Sequence, residues 1–123
     1  MTADARPPQT TGPVASFDAV SHRYGPATAL DAISLDIPSG VMAGIIGPDG
    51  VGKSTVLALL TGVRRLQSGR VAALGGDMGN ASHRRSSHGR ISYMPQGLGR
   101  NLYPTLTVFE NLDFFGRLFG QGR

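Results

Sequence analysis

The stretch Gly47-Pro48-Asp49-Gly50-Val51-Gly52-Lys53-Ser54-Thr55 constrains this chain more than any other. Its spacing is G-x-x-x-x-G-K-[ST], the pattern of a loop whose backbone N–H groups close around phosphate oxygens. Each fixed residue meets a physical need. The glycines allow a tight bend and keep side chains away from the β-phosphate. A helix opening near Lys53 adds the partial positive charge of its N-terminus. Lys53 brings a full charge to the β- and γ-phosphates, and the Ser54 hydroxyl is a Mg2+ ligand of the expected kind. The flanks supply the context such a loop needs. Val41 to Ile46 is a nearly continuous apolar run, the pattern of a strand buried on both faces. After the loop, an apolar helix is expected from about Lys53 to Thr61, with Gly62 placed as a left-handed cap.

The rest of the chain reads as one domain at most, since it has 123 residues, 40% of them hydrophobic. Residues 1–13 are rich in Pro, Thr and Ala and read as a disordered tail; residues 14–123 read as the folded part. Strands are expected at Val14–Val20, at Ala29–Ile37 with Ile33, Leu35 and Ile37 on one face, and at Arg70–Leu74. Pro38-Ser39-Gly40 reads as a turn. The polar stretch to His88 reads as loop with at most a short helical turn, and Arg90–Met94 as a strand closed by Pro95. Thr107 and Glu110 form a capping box for a helix to about Phe119. Strands alternating with helices make the fold class α/β.

Composition narrows the function. Without cysteine there is no disulfide framework and no thiolate metal site. No apolar run approaches the ~18 residues that span a bilayer, and no basic-then-apolar leader opens the chain, so a cytoplasmic protein is expected. The formal net charge of +4 comes mostly from scattered arginines; the cluster Arg84, Arg85 and Arg90 reads as a solvated loop. Direct nucleic-acid binding is therefore not expected. The one lysine is Lys53, inside the phosphate loop.

Sequence around the loop resembles the ATP-binding-cassette (ABC) ATPases, from about Val14 to Gly120. Val20-Ser21-His22-Arg23-Tyr24-Gly25 followed by Ala29-Leu30-Asp31-Ala32-Ile33-Ser34-Leu35-Asp36-Ile37 looks like that family's opening. The resemblance implies a P-loop NTPase fold with an antiparallel subdomain and an adenine stacked on Tyr24, a contact that an aromatic face supplies with little base readout. Ile91-Ser92-Tyr93-Met94-Pro95-Gln96 resembles the family's Q-loop, which implies that Gln96 reaches Mg2+ and the attacking water. With Tyr93-Met94-Pro95-Gln96-Gly97-Leu98-Gly99, Asn101-Leu102-Tyr103-Pro104-Thr105-Leu106 and Asp49, the match looks like the first cassette of the ribosome-associated ATPase subgroup, a fused ATPase–permease.

That resemblance implies ATP and Mg2+ as cofactors, Lys53 and Gln96 as catalytic groups, and Ser54 and Gln96 as metal ligands. It implies nucleotide contacts from Tyr24, Gly47, Pro48, Asp49, Gly50, Val51, Gly52, Lys53, Ser54 and Thr55. Its implied partners are a transmembrane permease, met through Asn101, Leu102 and Tyr103, a second nucleotide-binding domain, and in the subgroup the ribosome. Placement at the cytoplasmic face of the inner membrane is implied with them. The family's later motifs are missing from these residues: no L-S-G-G-Q signature, no apolar strand ending in Asp-Glu, and no histidine after Gln96. Leu74-Gly75-Gly76-Asp77 lacks the signature's serine and glutamine and reads as a turn. The expectation is a truncated nucleotide-binding domain that holds ATP without hydrolysing it, poorly soluble alone, with His22, His83 and His88 at the surface. A small P-loop kinase and a non-catalytic interacting remnant are the competing readings.

Overall fold

The computed structural model describes residues 12–97 and 102–122. They divide into two compact units that part between Ile91 and Ser92.

The first unit is organised by a long hairpin. Strands β1 (Pro13–Tyr24) and β2 (Ala27–Pro38) run antiparallel and are joined through Gly25, whose φ of 57° turns the chain. β3 (Ser68–Ala73) pairs antiparallel with the other edge of β1, and the two-residue β4 (Gly76–Asp77) pairs with β3, giving the order β2-β1-β3-β4. The antiparallel subdomain implied by the family resemblance is thus present.

Simple alternation does not run the length of the hairpin. On β1 the buried positions are Ala15 and Phe17, then Val20 and His22, a switch from odd to even numbers. On β2 Leu30 is buried, and then Ile33, Leu35 and Ile37 face the core, a switch the other way. Each switch is a bulge: an extra residue that keeps the core side in register while the parity changes. Ala19 and Ala32 both sit at φ 45°, beside the register shifts. Bulging takes their N–H groups off the ladder, and serines from the facing strand accept them: Ala19 N–H donates to Ser34 Oγ at 3.0 Å and Ala32 N–H to Ser21 Oγ at 2.8 Å.

Helix α1 (Lys53–Leu60) packs on this sheet through Val56 and Leu59, which join Ala15, Phe17, Val20, Leu30, Val71, Ala73 and Met78 in the core. Gly62 follows at φ 74°, in the left-handed conformation its position suggests. Beyond β4, α2 (Ala81–Ser87) starts at Asn80, whose side chain accepts the Ser82 and His83 N–H groups, and a short 3-10 turn covers His88–Arg90.

In the second unit, α3 (Val108–Leu118) carries the expected capping box between Thr107 and Glu110. Hydrogen bonds from the Thr107 N–H and hydroxyl hold the Glu110 carboxyl below its ordinary range. Asn111, buried at the helix start, gathers the preceding loop: its amide donates to the carbonyls of Tyr103, Leu106 and Thr107, and its oxygen accepts the Tyr103 N–H. Tyr103 packs edge-on against Phe114, with ring centroids 5.1 Å apart.

Several expectations are corrected. Residues 42–48 and 91–95 form no strand. Met42 and Ile46 are fully exposed and Met94 nearly so. A strand exists only when a neighbour pairs its backbone, and among the described residues nothing pairs with either run. The arginine cluster is not a loop: Arg84 lies on α2, half-buried, and donates to the Met78 carbonyl at 2.9 Å. His22 is buried and His83 half-buried, its ring nitrogen 2.8 Å from the Ala73 carbonyl; only His88 is at the surface. Residues 1–11 of the expected tail lie outside the described residues, and Pro13 already belongs to β1.

The bulges generate a stability prediction. Left-handed backbone costs a residue with a Cβ about 1–2 kcal/mol, and glycine gives back about 0.4–1 kcal/mol through the unfolded chain. Ala32→Gly should therefore stabilise by about 0.5 kcal/mol in urea titration. Ser21→Ala should destabilise by about 0.5–1.5 kcal/mol, because it removes the acceptor of the Ala32 N–H.

Candidate functional site

The start of α1 is wedged in place by the absence of one side chain. Gly52 has φ 96°, and a Cβ there would lie 2.4 Å from the Ala29 carbonyl oxygen and 2.7 Å from Leu30 Cδ2. Only glycine lets the loop lie this close to β2. The helix that begins next has no side-chain cap and no acidic residue in its first turn. Its first N–H groups lack intrahelical partners and carry the positive end of the helix dipole. An uncapped helix start with no acidic residue in its first turn, beside a lysine, suits an anion.

Lys53 reaches back across the loop. Its Nζ donates to the carbonyls of Gly47 at 2.6 Å and Pro48 at 2.5 Å, with the exposed Asp49 carboxylate 3.9 Å away. The charge is therefore held over the loop from Gly47 to Gly52 by the loop itself. Gly50, Val51 and Ser54 are exposed around it, so the Ser54 hydroxyl is open to a ligand. Among the described residues no group of three or more His, Cys, Asp or Glu side chains could hold a metal ion on its own.

Thr55 is buried, and its hydroxyl lies 3.2 Å from the Tyr24 hydroxyl. This contact brings the sequence-predicted aromatic to the start of α1: β1 ends where the first turn of α1 can touch it. Around Tyr24 lies an open hollow of about 340 Å³, lined by His22, Arg23, Tyr24 and the segment Val63 to Gln67. The Gln67 amide clamps the two walls together, accepting from Arg23 N–H at 2.8 Å and donating to Arg23 O at 3.0 Å. His22 packs edge-on to Tyr24 with centroids 4.9 Å apart, and its buried Nδ1 has no hydrogen-bond partner among the described residues. The Arg64 guanidinium lies over the Tyr24 ring, 4.7 Å from its centroid.

Sequence reasoning missed His22, Arg64 and Gln67. The only signal for His22 was its spacing of two from Tyr24 on one strand. Nothing local points to Arg64 or Gln67, which meet Tyr24 and Arg23 through the fold. In the second unit, Gln96 is exposed at a bend, and Leu102 and Tyr103 are exposed to 58% and 48%. Asn101 lies outside the described residues, as do Leu98 and Gly99. No helix among the described residues is long and apolar enough to cross a membrane.

Known proteins agree with this architecture. The family model for ABC transporters matches residues 30–122. The Nod factor export ATP-binding protein I of Ralstonia nicotianae is 36% identical over 108 residues, 88% of this chain and 32% of its own length. The linearmycin resistance ATP-binding protein LnrL of Bacillus subtilis is 34% identical over 101 residues, 82% of this chain and 31% of its own. The chain thus spans about a third of the length of these relatives. A bacterial ABC transporter cassette solved as a dimer shares the fold with a TM-score of 0.70 at 22% identity, over 89% of this chain and 49% of that one. With the family model covering most of its length and relatives above 30% identity, this chain belongs to the ABC transporter ATP-binding family.

Proposed function

We propose that the chain is the nucleotide-holding part of an ABC transporter ATPase subunit, which binds Mg-ATP to power transport through a transmembrane partner. The observation that carries this reading is the start of α1: uncapped, without an acidic residue in its first turn, fixed by Gly52 against β2, and overhung by Lys53. Gly47, Pro48, Asp49, Gly50, Val51 and Gly52 form the cradle. Lys53, Ser54 and Thr55 add charge and hydroxyls at the helix start, and Tyr24 offers its ring to the adenine. Ser54 and Gln96 are the residues that would hold Mg2+, which when bound neutralises phosphate charge. Gln96 and Lys53 are the groups we assign to the chemistry, and Asn101, Leu102 and Tyr103 are the residues we assign to contact with the permease. A second cassette completes the site, and the pair works at the cytoplasmic face of the inner membrane.

Two features support a part rather than a whole. The apolar run 41–46 has exposed side chains and no pairing partner among the described residues, as expected of a central strand awaiting its neighbours. After Gln96 the only carboxylates are Glu110 and Asp113. Glu110 is held in the α3 cap, and Asp113 pairs with Arg117 at 2.8 Å. Neither follows an apolar strand, the setting in which a carboxylate would polarise the attacking water, so our reading assigns these residues to holding ATP.

Three outcomes test the reading on the purified chain. Lys53→Ala should remove a charge-assisted contact worth about 1.5–3 kcal/mol and lower ATP affinity tenfold or more by calorimetry; equal affinity would sink the phosphate assignment. Tyr24→Ala should weaken ATP by about 1–3 kcal/mol, whereas Tyr24→Phe, which loses only the Thr55 contact, should keep most of the binding. If both substitutions cost the same, the hydroxyl and not the ring is responsible. Phosphate release should stay at background, since losing one positioned general base alone costs about 10²–10⁴ in rate; turnover that vanishes in Lys53→Ala would overturn the claim.

A further inference from the structure

The hollow beside Tyr24 holds a group that the nucleotide-binding reading does not use. Arg64 is exposed, and its guanidinium covers the Tyr24 ring at 4.7 Å from the centroid. Among the described residues it has no carboxylate or carbonyl partner, so the ring alone holds it. The segment that carries it is fixed at both ends. Arg64 N–H donates to the Ala58 carbonyl at 3.0 Å at the end of α1, and Gln67 is clamped to the Arg23 backbone. The backbone is therefore set while the long side chain is free to lift.

We propose that Arg64 is the outer plate of the base site: a purine enters between the Tyr24 ring and the guanidinium, which then stacks on the far face of the base. This rests on the reading of the chain as a nucleotide-binding part and adds a residue that sets affinity for the base. Stacking of a base on an aromatic ring is stronger than an exposed cation–π contact, so the base wins the ring from the guanidinium. The displaced group is flat and weakly hydrated, and such a plane stacks on bases as readily as on tyrosine. Lifting it by the thickness of one stacked base, about 3.4 Å, is within reach of an arginine stem. The walls favour an anionic, hydrogen-bonding guest. Arg23, Arg64 and Arg65 line the hollow with no carboxylate among them.

The test compares ATP with inorganic tripolyphosphate, each with Mg2+, by calorimetry on the full chain. Arg64→Ala should lower ATP affinity about three- to thirtyfold and leave tripolyphosphate within twofold, because the plate touches only the base. In a Tyr24→Ala background the same substitution should cost measurably less, since the two plates act together. Tighter ATP binding by Arg64→Ala would show a competitor in place of a plate. An equal loss for tripolyphosphate would show a phosphate contact, and an unchanged ATP affinity would show a bystander; each overturns the proposal while leaving nucleotide binding intact. Failure of the unsubstituted chain to bind either ligand would instead remove the nucleotide reading, and the plate with it. The exposed position of Arg64 keeps the core out of the comparison.

Discussion

The contact between Gly52 and the Ala29 carbonyl sets where everything else in the first unit can stand. A side chain at that position would sit 2.4 Å from a backbone oxygen, so the phosphate loop can lie against β2 only because nothing projects there. Once the loop is seated, α1 starts at a fixed point and in a fixed direction. Val56 and Leu59 then fall on the sheet, and Thr55 falls beside the end of β1, within 3.2 Å of the Tyr24 hydroxyl. One close approach therefore couples the Gly47–Thr55 end of the proposed site to its Tyr24 end, although the two are separated by a whole strand in sequence.

The hairpin contributes more than a floor. β1 must present Phe17 to the core and, further along, His22 to the same side, with Tyr24 at its end. A regular strand would show these with one parity throughout. The bulge at Ala19 inserts the extra residue that lets the core side continue on even numbers, and the opposing bulge at Ala32 does the same for β2. The cost is two alanines in left-handed backbone and two N–H groups displaced from the ladder, which Ser34 and Ser21 accept. The aromatic end of the site thus depends on a local irregularity in the strand that carries it.

What could be read from sequence follows how far apart the interacting groups lie. The start of α1 at Lys53, the Gly62 cap and the Thr107–Glu110 box are decided within a few residues, and all appear as expected. The hairpin strands were legible in type, but their bulges were not, so His22 was assigned to the surface and is buried. The runs 41–46 and 90–94 have the composition of strands, yet pairing is a property of two segments, and composition reports on one. Arg64 over Tyr24 and Gln67 on the Arg23 backbone are likewise contacts between distant segments. They depend on where the fold sets α1 and the turn after it.

Lys53 ties the loop to itself through its own backbone. The lysine's bonds to the Gly47 and Pro48 carbonyls place its positive charge on the acceptor side of the loop backbone. They also restrict a long side chain that would otherwise lose its rotamer freedom on binding. Phosphate oxygens make stronger acceptors than peptide carbonyls, because hydrogen bonds to a charged partner are roughly twice as strong as neutral ones. The exchange of one for the other is thus downhill for the ammonium and requires little rearrangement of the loop. A neutral ligand would offer no such gain and would leave the lysine on its own carbonyls, so the arrangement selects for charge before it selects for shape.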